Sequence, residues 1–211
     1  MLALYYFPCA ISTAAHILMN EGGEEWEPHT VSFDEAGRRE FEKVNPRCLV
    51  PALRLDNGDI LTENVAVLPY LAKRFGLWPE DPILEAKSLS IIGYFASSTA
   101  PAAALTGHPY RFTTDQSAVE ASRQAGINNY AHHMAQTDAM LEGREWLMDE
   151  YGACDAYALA LYGYAVRKEV PVAGLKNMAA LRDRMLERPA VKKTVESLSL
   201  IHISEPTRPT P

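Results

Sequence analysis

The sequence is poor in the features that mark secreted, membrane-spanning or nucleic-acid-binding proteins. It has only three cysteines, Cys9, Cys48 and Cys154, whose number and spacing fit neither a disulfide framework nor a zinc site. No apolar run approaches the roughly 20 residues that cross a bilayer, and the first ten residues lack the pattern of a signal peptide. Acidic residues outnumber basic ones by 27 to 20, which disfavours nucleic acid and anionic membranes. These absences predict a cytoplasmic protein with no metal, no nucleic-acid partner and no membrane partner.

The rest of the composition is that of a globular protein. Hydrophobic residues make up 47% of the 211 residues and charged residues 22%, enough for one large domain or two modest ones. The segment Leu198–Pro211 stands apart, because it continues neither a helical nor a strand period and ends in a proline-rich stretch. It resembles a translated sequencing adapter more than a natural tail, and we predict that it is not native.

Strand and helix signals alternate over the first part of the chain. Ser12 stands where it can cap a helix that ends at Gly22, and Pro28 suits an edge strand better than a central one. The predicted elements here are the strand Leu2–Tyr6, the helix Thr13–Glu21, the strand Trp26–Phe33 and the short helix Arg38–Val44.

A hairpin and a helix follow. Asn57–Gly58 lies between the apolar runs Val50–Leu55 and Asp59–Leu61, which is the strongest short-range hairpin signal. Thr62 is predicted to cap a helix from Glu63 to Gly76, and Pro69 inside that helix predicts a kink.

Beyond this point only helical periods remain. The predicted helices are Ile83–Ser98, Thr114–Leu141, Asp155–Lys168, Leu175–Glu187 and Ala190–Ser197. We therefore predict an α/β domain over residues 1–76, a linker over 77–82 (LWPEDP) and an all-α domain over 83–197.

Two segments carry a resemblance to a known family. Asn45–Leu53 (NPRCLVPAL) and Leu61–Asn64 (LTEN) are similar to the glutathione-binding core of the cytosolic glutathione transferases. The resemblance implies a thioredoxin-like N-terminal domain, an all-helical C-terminal domain and a cis Val50–Pro51 bond. It also implies that Val50, beside Leu49, pairs its backbone with the cysteinyl part of glutathione.

The same resemblance assigns residues to the γ-glutamyl and glycyl ends of glutathione. The free N–H groups of a helix start can hold the γ-glutamyl carboxylate, while Glu63 meets the ammonium group and Asn64 adds hydrogen-bonding capacity. Simple capping by Thr62 would explain Glu63 equally well. Arg47 or Arg38 is a candidate for the glycyl carboxylate, although either can equally be a solvated surface arginine.

The opening segment Tyr5–Ile17 (YYFPCAISTAAHI) resembles the bacterial beta class, with isoleucine where that class has its cysteine. A transferase must favour the thiolate over a thiol of ordinary pKa near 8.5. A hydroxyl at a helix start can do so, which makes Ser12 the first catalytic candidate. Cys9 could instead form a mixed disulfide with glutathione, and Tyr6 is a third candidate.

The second half of the chain adds three expectations. Phe95–Phe112 resembles the first long helix of beta-like members, but alanine stands where a histidine is frequent, so catalysis falls to Ser12 and backbone amides. An electrophile pocket is predicted to be lined by Phe7, Phe95, Tyr110 and Phe112. Asp155 resembles the family's capping box before a core helix, a folding role, with Gly152 in place of its serine.

The function predicted from this resemblance is a homodimeric glutathione transferase of detoxification, with glutathione as co-substrate and a small apolar electrophile as acceptor. Two alternatives stay open. One is a glutathione-binding or interaction protein with little catalysis, and the other is glutathione-dependent thiol exchange through Cys9. An unrelated thioredoxin-fold oxidoreductase is disfavoured, because the chain has no Cys-x-x-Cys pair.

Overall fold

The computed structural model describes residues 1–198, so residues 199–211 of the predicted tail lie outside the described part. Within it, four strands and three helices form the N-terminal part. They are β1 (Ala3–Tyr6), α1 (Thr13–Glu21), β2 (Glu27–Thr30), α2 (Glu35–Glu42), β3 (Ala52–Arg54), β4 (Ile60–Thr62) and α3 (Asn64–Arg74).

The four strands form one mixed sheet in the order β2-β1-β3-β4. β1 pairs in parallel with β2 and antiparallel with β3, and β3 pairs antiparallel with β4. Pro28 therefore lies on an edge strand, as its missing N–H predicted. The Asn57–Gly58 hairpin is confirmed, with Gly58 at φ 92° and its N–H bonded to the Leu55 carbonyl at 2.9 Å.

In this N-terminal part, three predictions about helix ends were wrong. Helix α2 begins three residues before the predicted Arg38, because the Asp34 carboxylate accepts the Gly37 N–H at 2.7 Å and so caps the helix. Ser12 makes no side-chain cap on α1. Thr62 belongs to β4, so α3 begins at Asn64 and continues through Pro69.

All later elements of the described chain are helical. They are α4 (Pro82–Tyr94), a π-helical turn (Phe95–Thr99), α5 (Ala100–Gly107), two 3-10 turns (Pro109–Arg111 and Gln116–Ala118), α6 (Val119–Met140), α7 (Ala153–Arg167), α8 (Lys176–Glu187) and α9 (Pro189–Ser197). The first predicted helix of this half is thus too short, since the π turn joins α4 and α5 into a rod that ends at Gly107. Among residues 1–198, no helix is both long and apolar enough to cross a membrane.

Helix α1 joins the sheet to the helical half. Its apolar face is fully buried and packs against α3, α7 and α9. At its end, Glu21 receives two hydrogen bonds from the Arg188 guanidinium, at 2.7 and 3.0 Å, and that guanidinium lies 3.7 Å from the centre of the Tyr151 ring. The two halves therefore share one core and a fixed orientation.

The start of α7 is organised by Asp155, as the sequence predicted. Its carboxylate is fully buried and accepts the N–H groups of Leu147 at 2.9 Å and Gly152 at 3.0 Å. A Cβ on Gly152 would lie 2.8 Å from the Leu77 carbonyl oxygen, closer than ordinary contacts allow. This contact explains why glycine stands where the family's capping box has serine.

Candidate functional site

Val50, the predicted docking residue, lies at a groove between the N-terminal half and the helical half of the chain. The Val50–Pro51 bond is cis, as expected. The groove beside it has a volume of about 70 Å³, room for part of a peptide ligand, and its walls come from the loop before β3, the start of α3, the π turn with α5, and α7. Its lining residues are Ile11, Asn45, Leu49, Val50, Pro51, Thr62, Glu63, Asn64, Ala96, Ala100 and Tyr157.

The backbone at the start of α3 is arranged to receive polar groups. Glu63 has a left-handed conformation, φ 70° and ψ 130°, and its side chain caps no N–H group of the helix. The first N–H groups of any helix lack intrahelical partners. Asn64 is 4% exposed, its Nδ2 donates to the Ile11 carbonyl at 3.5 Å, and its Oδ1 has no partner among the described residues. A buried acceptor without a partner costs free energy, so this end of the groove favours a ligand that donates.

Of the two predicted arginines, only Arg47 lies beside this helix start. Its guanidinium donates to Thr62 Oγ1 at 2.6 Å and lies 3.3 Å from a Glu63 carboxylate oxygen. Arg38 lies on α2 and faces Glu42 at 3.9 Å. The structure therefore brings together Arg47, Leu49, Val50, Pro51, Glu63 and Asn64 of the predicted binding set.

The three catalytic candidates lie at or behind the β1–α1 loop. Ser12 is fully buried, and its hydroxyl accepts the Phe7 N–H and donates to the Phe7 carbonyl, both at 3.2 Å. Cys9 is half-buried in a left-handed conformation, with φ 61°. Tyr6 is 8% exposed, and its hydroxyl accepts a hydrogen bond from Thr30 at 3.0 Å on the edge of the sheet. None of the three lines the groove as it stands.

The four predicted pocket aromatics do not form one wall. Phe95 is fully buried against Tyr157, with ring centres 5.5 Å apart, so it has no surface to offer a ligand. Phe7 packs on Phe33 at 5.3 Å. Tyr110 and Phe112 are 60% and 54% exposed. Tyr110 contacts the His108 ring, with ring centres 5.8 Å apart. The electrophile pocket stays a prediction.

Sequence reasoning missed two polar residues of the groove. Asn45 donates from Nδ2 to the Leu49 carbonyl at 2.7 Å and so fixes the loop that leads to Val50. Tyr157 comes from α7 in the other half of the chain and is 1% exposed. Burial raises the pKa of Tyr157 to about 12, and the neighbouring Asn64 amide lowers it by less, so its phenol keeps its proton at neutral pH. Asn45 opens the recognised segment, whereas nothing local pointed to Tyr157.

The groove offers hydrogen-bonding groups rather than metal ligands. Among residues 1–198, no group of three or more histidine, cysteine, aspartate or glutamate side chains is placed to hold a metal ion. The unpaired backbone of Val50 and the helix start at Glu63 and Asn64 can support recognition of a peptide backbone and of a charged terminus.

Comparisons with known proteins agree with this geometry. Residues 8–74 match the family of the glutathione S-transferase N-terminal domain. The chain is 28% identical over 209 residues to the glutathione S-transferase GstA of Escherichia coli O157:H7, a match that covers 94% of this chain and all of that protein.

Solved structures match the chain over nearly its whole length. A glutathione transferase homologue from Sulfitobacter, solved with bound glutathione, has a TM-score of 0.86 at 28% identity, and the match covers 93% of this chain and 98% of that one. A sphingomonad glutathione S-transferase, complexed with glutathione, has a TM-score of 0.82 at 29% identity, covering 94% and 99%. The fold, the groove and these matches together place residues 8–74 in the family of the glutathione S-transferase N-terminal domain and give the whole chain the fold of bacterial glutathione transferases.

Proposed function

We propose that the protein is a glutathione transferase that binds the tripeptide along Val50 and directs its thiolate at a small apolar electrophile. The backbone of Val50 carries this proposal. Val50 precedes β3, and within residues 1–198 its N–H and C=O have no backbone partner. Backbone groups at such an edge favour pairing with an added peptide strand, and the cysteinyl residue of glutathione supplies one N–H and one C=O for it.

The γ-glutamyl end fits the start of α3. Its ammonium group can donate to the unpartnered Asn64 Oδ1 and face the Glu63 carboxylate. Its carboxylate can accept from the free N–H groups at the helix start, where the helix dipole favours an anion. One polar end of the ligand thus satisfies both the buried acceptor and the unpaired donors.

The glycyl carboxylate requires a cation, and Arg47 is the nearer of the two predicted arginines. Its side chain is 60% exposed and already lies beside Glu63. An exposed ion pair of this kind contributes little free energy, so its side chains change partners readily. We propose that the ligand ammonium takes over part of the Glu63 interaction, which leaves Arg47 able to turn to the ligand carboxylate.

Two variants at the helix start test binding. We expect Asn64→Leu, which keeps the side-chain volume and removes the amide, to weaken glutathione binding about tenfold or more, because a charge-assisted hydrogen bond is lost. Glu63→Gln should weaken it about threefold to tenfold, since the exposed carboxylate gives up only its charge. Isothermal titration calorimetry measures both, with Glu142→Gln, an exposed acid outside the groove, as the matched control.

Unchanged affinity in Asn64→Leu, with the fold intact by circular dichroism, would overturn the assigned groove. Turnover with an aromatic halide electrophile should fall in the same order at subsaturating glutathione. Glutathione binding without any turnover would point instead to the binding-protein alternative.

Thiolate stabilisation is proposed to come from Ser12 and the first N–H groups of α1. The Ser12 hydroxyl now donates to the Phe7 carbonyl, so it must exchange that bond for one to the sulfur. The proposal predicts that Ser12→Ala raises the pKa of bound glutathione by about one unit, the shift of one hydrogen bond to an anion. The pH dependence of kcat/KM measures it.

Cys9→Ser is the matched variant for the thiol-exchange alternative. If disulfide reduction persists in Cys9→Ser, exchange through Cys9 is excluded. Loss of reduction with normal electrophile conjugation would favour it. An unshifted pH profile in Ser12→Ala would remove Ser12 from catalysis.

We propose that the protein is a cytoplasmic homodimer, as the family resemblance implies. Exposed apolar side chains on β4, α3 and α4 support an interface, with Ile60 38%, Val65 43% and Leu89 44% exposed. Analytical ultracentrifugation measures the state directly.

A further inference from the structure

A second cavity lies away from the glutathione groove, between the predicted linker and the start of α7. Its volume is about 320 Å³, which is larger than the groove and large enough for a small organic molecule. The linker, the first two turns of α4 and the loop before α7 form its walls. It shares no lining residue with the groove.

The charge on its walls has one sign. Four exposed residues, Glu80, Asp81, Asp149 and Glu150, contribute carboxylates, the buried Asp155 adds a fifth carboxyl group, and none of the lining residues is lysine, arginine or histidine. Within residues 1–198 these four carboxylates make no ion pair. Of the four exposed carboxylates, only Asp81 has a structural role, since it accepts the Ile83 and Leu84 N–H groups and caps α4. The other three give the mouth a negative potential.

The wall also holds a polar group with no partner. Ser88 is 1% exposed, and its hydroxyl makes no hydrogen bond within the described part of the chain. The Ser88 carbonyl is occupied, because Cys154 Sγ donates to it at 3.6 Å. A buried hydroxyl on a cavity wall favours a ligand that can hydrogen-bond to it.

Aromatic surface completes the walls. Trp78 and Tyr151 line the cavity, and the Arg188 guanidinium already covers one face of the Tyr151 ring at 3.7 Å, so Trp78 is the aromatic side chain that a ligand can use. The Trp78 indole N–H makes no hydrogen bond within the described part of the chain. An aromatic wall below unpaired carboxylates attracts organic cations.

A metal ion fits this cavity less well than an organic cation. Among the described residues, no group of three or more carboxylate, histidine or cysteine side chains is placed to hold a metal ion. Carboxylates, aromatic side chains and one hydroxyl suit a charge carried on a larger, partly apolar body.

We propose that this cavity binds a small organic cation that carries a hydroxyl or carbonyl group. The charged end lies among Glu80, Asp149 and Glu150 and against Trp78, and the oxygen hydrogen-bonds with Ser88. The site is separate from the glutathione groove, so it does not depend on the proposed catalysis.

Choline and its neutral isostere 3,3-dimethylbutan-1-ol are the probes. Titration of the full chain, saturated with glutathione, is followed by the ¹H–¹⁵N signal of the Trp78 indole, which Trp78→Phe assigns. We expect saturable shifts with choline, at least about tenfold weaker binding of the neutral alcohol, and weaker choline binding at high salt.

Matched variants test which carboxylates bind the positive charge of choline. The double variant Asp149→Asn, Glu150→Gln should weaken choline binding about fivefold or more, whereas Glu142→Gln with Glu187→Gln, two exposed acids outside the cavity, should leave it unchanged. Ser88→Ala should weaken choline but not tetramethylammonium, which has no oxygen. Equal binding of choline and the neutral alcohol, no saturable shift of the Trp78 signal, or equal loss in both double variants would overturn the proposal.

Discussion

Replacing Asp155 with alanine is expected to lower the free energy of unfolding by about 3–5 kcal/mol. The loss follows because two buried backbone N–H groups, those of Leu147 and Gly152, would each lose their acceptor, at about 1–3 kcal/mol for each. The start of α7 would also lose its cap. Urea unfolding followed by circular dichroism measures the change.

The pH dependence of this loss is a second readout. Burial raises the pKa of Asp155 to about 7, against smaller opposing effects of the hydrogen bonds from Leu147 and Gly152. The folded state therefore binds more protons than the unfolded state between the ordinary carboxyl pKa and about 7. Its contribution to stability is fully present below the ordinary pKa and is lost as pH rises. The difference between wild type and Asp155→Ala should be larger at pH 5 than at pH 8.

Asp155→Asn is the matched control for this prediction. Its single side-chain oxygen can accept one of the two amides, and its NH₂ group faces the other, so the loss should be about half that of alanine. A loss below about 1 kcal/mol in Asp155→Ala would show that the capping carboxylate does not organise the loop before α7.

The parts of the fold that sequence predicted well are those set by local chemistry. Asn57–Gly58 fixed the hairpin because only a few residues adopt its turn readily. Pro28 indicated an edge strand, because proline has no backbone N–H to donate to a neighbouring strand. The cis bond at Val50–Pro51 came from the family resemblance, because local propensity alone favours the trans form.

The sequence predictions were wrong where a side chain could make more than one interaction. Ser12 has the right type for a helix cap, but its hydroxyl bonds to the backbone of Phe7 instead. Thr62 was drawn into β4 by its pairing with Ala52. Phe95 was expected at a pocket surface, but the π turn rotates it into the core against Tyr157. In each case tertiary packing overrode a local preference.

The candidate site also contains residues that local sequence predicted and one that it did not. Val50, Glu63 and Asn64 lie in the two recognised segments, which are close together in the sequence, so a sequence match brings them together. Tyr157 reaches the groove from α7, more than ninety positions later, and a buried tyrosine near a capping box reads as packing. Its place in the groove depends on how α7 packs against α1, which no local pattern encodes.

A buried histidine leads to the last prediction, on acid sensitivity. His16 lies on α1, 4% exposed, between the rings of Tyr6 at 4.8 Å and Trp26 at 4.9 Å, and its Nδ1 has no partner among residues 1–198. Burial, and second the charge of Lys193, lower its pKa to about 4. The unfolded chain therefore binds more protons between about pH 4 and 6.5, and stability falls as pH falls through that window.

His16→Leu should remove this dependence. Between pH 7.5 and 5 the wild type should lose about 2 kcal/mol more stability than the variant, and by pH 4 about 3 kcal/mol more. Near pH 7.5 the two should differ little, because leucine has a similar volume and leaves no unpaired nitrogen in the core. Asp155 titrates with the opposite sign over part of this range, but it is present in both proteins and cancels in their difference. Parallel stability curves for wild type and His16→Leu from pH 7.5 to 4 would show that His16 takes up a proton as easily in the core as in the unfolded chain.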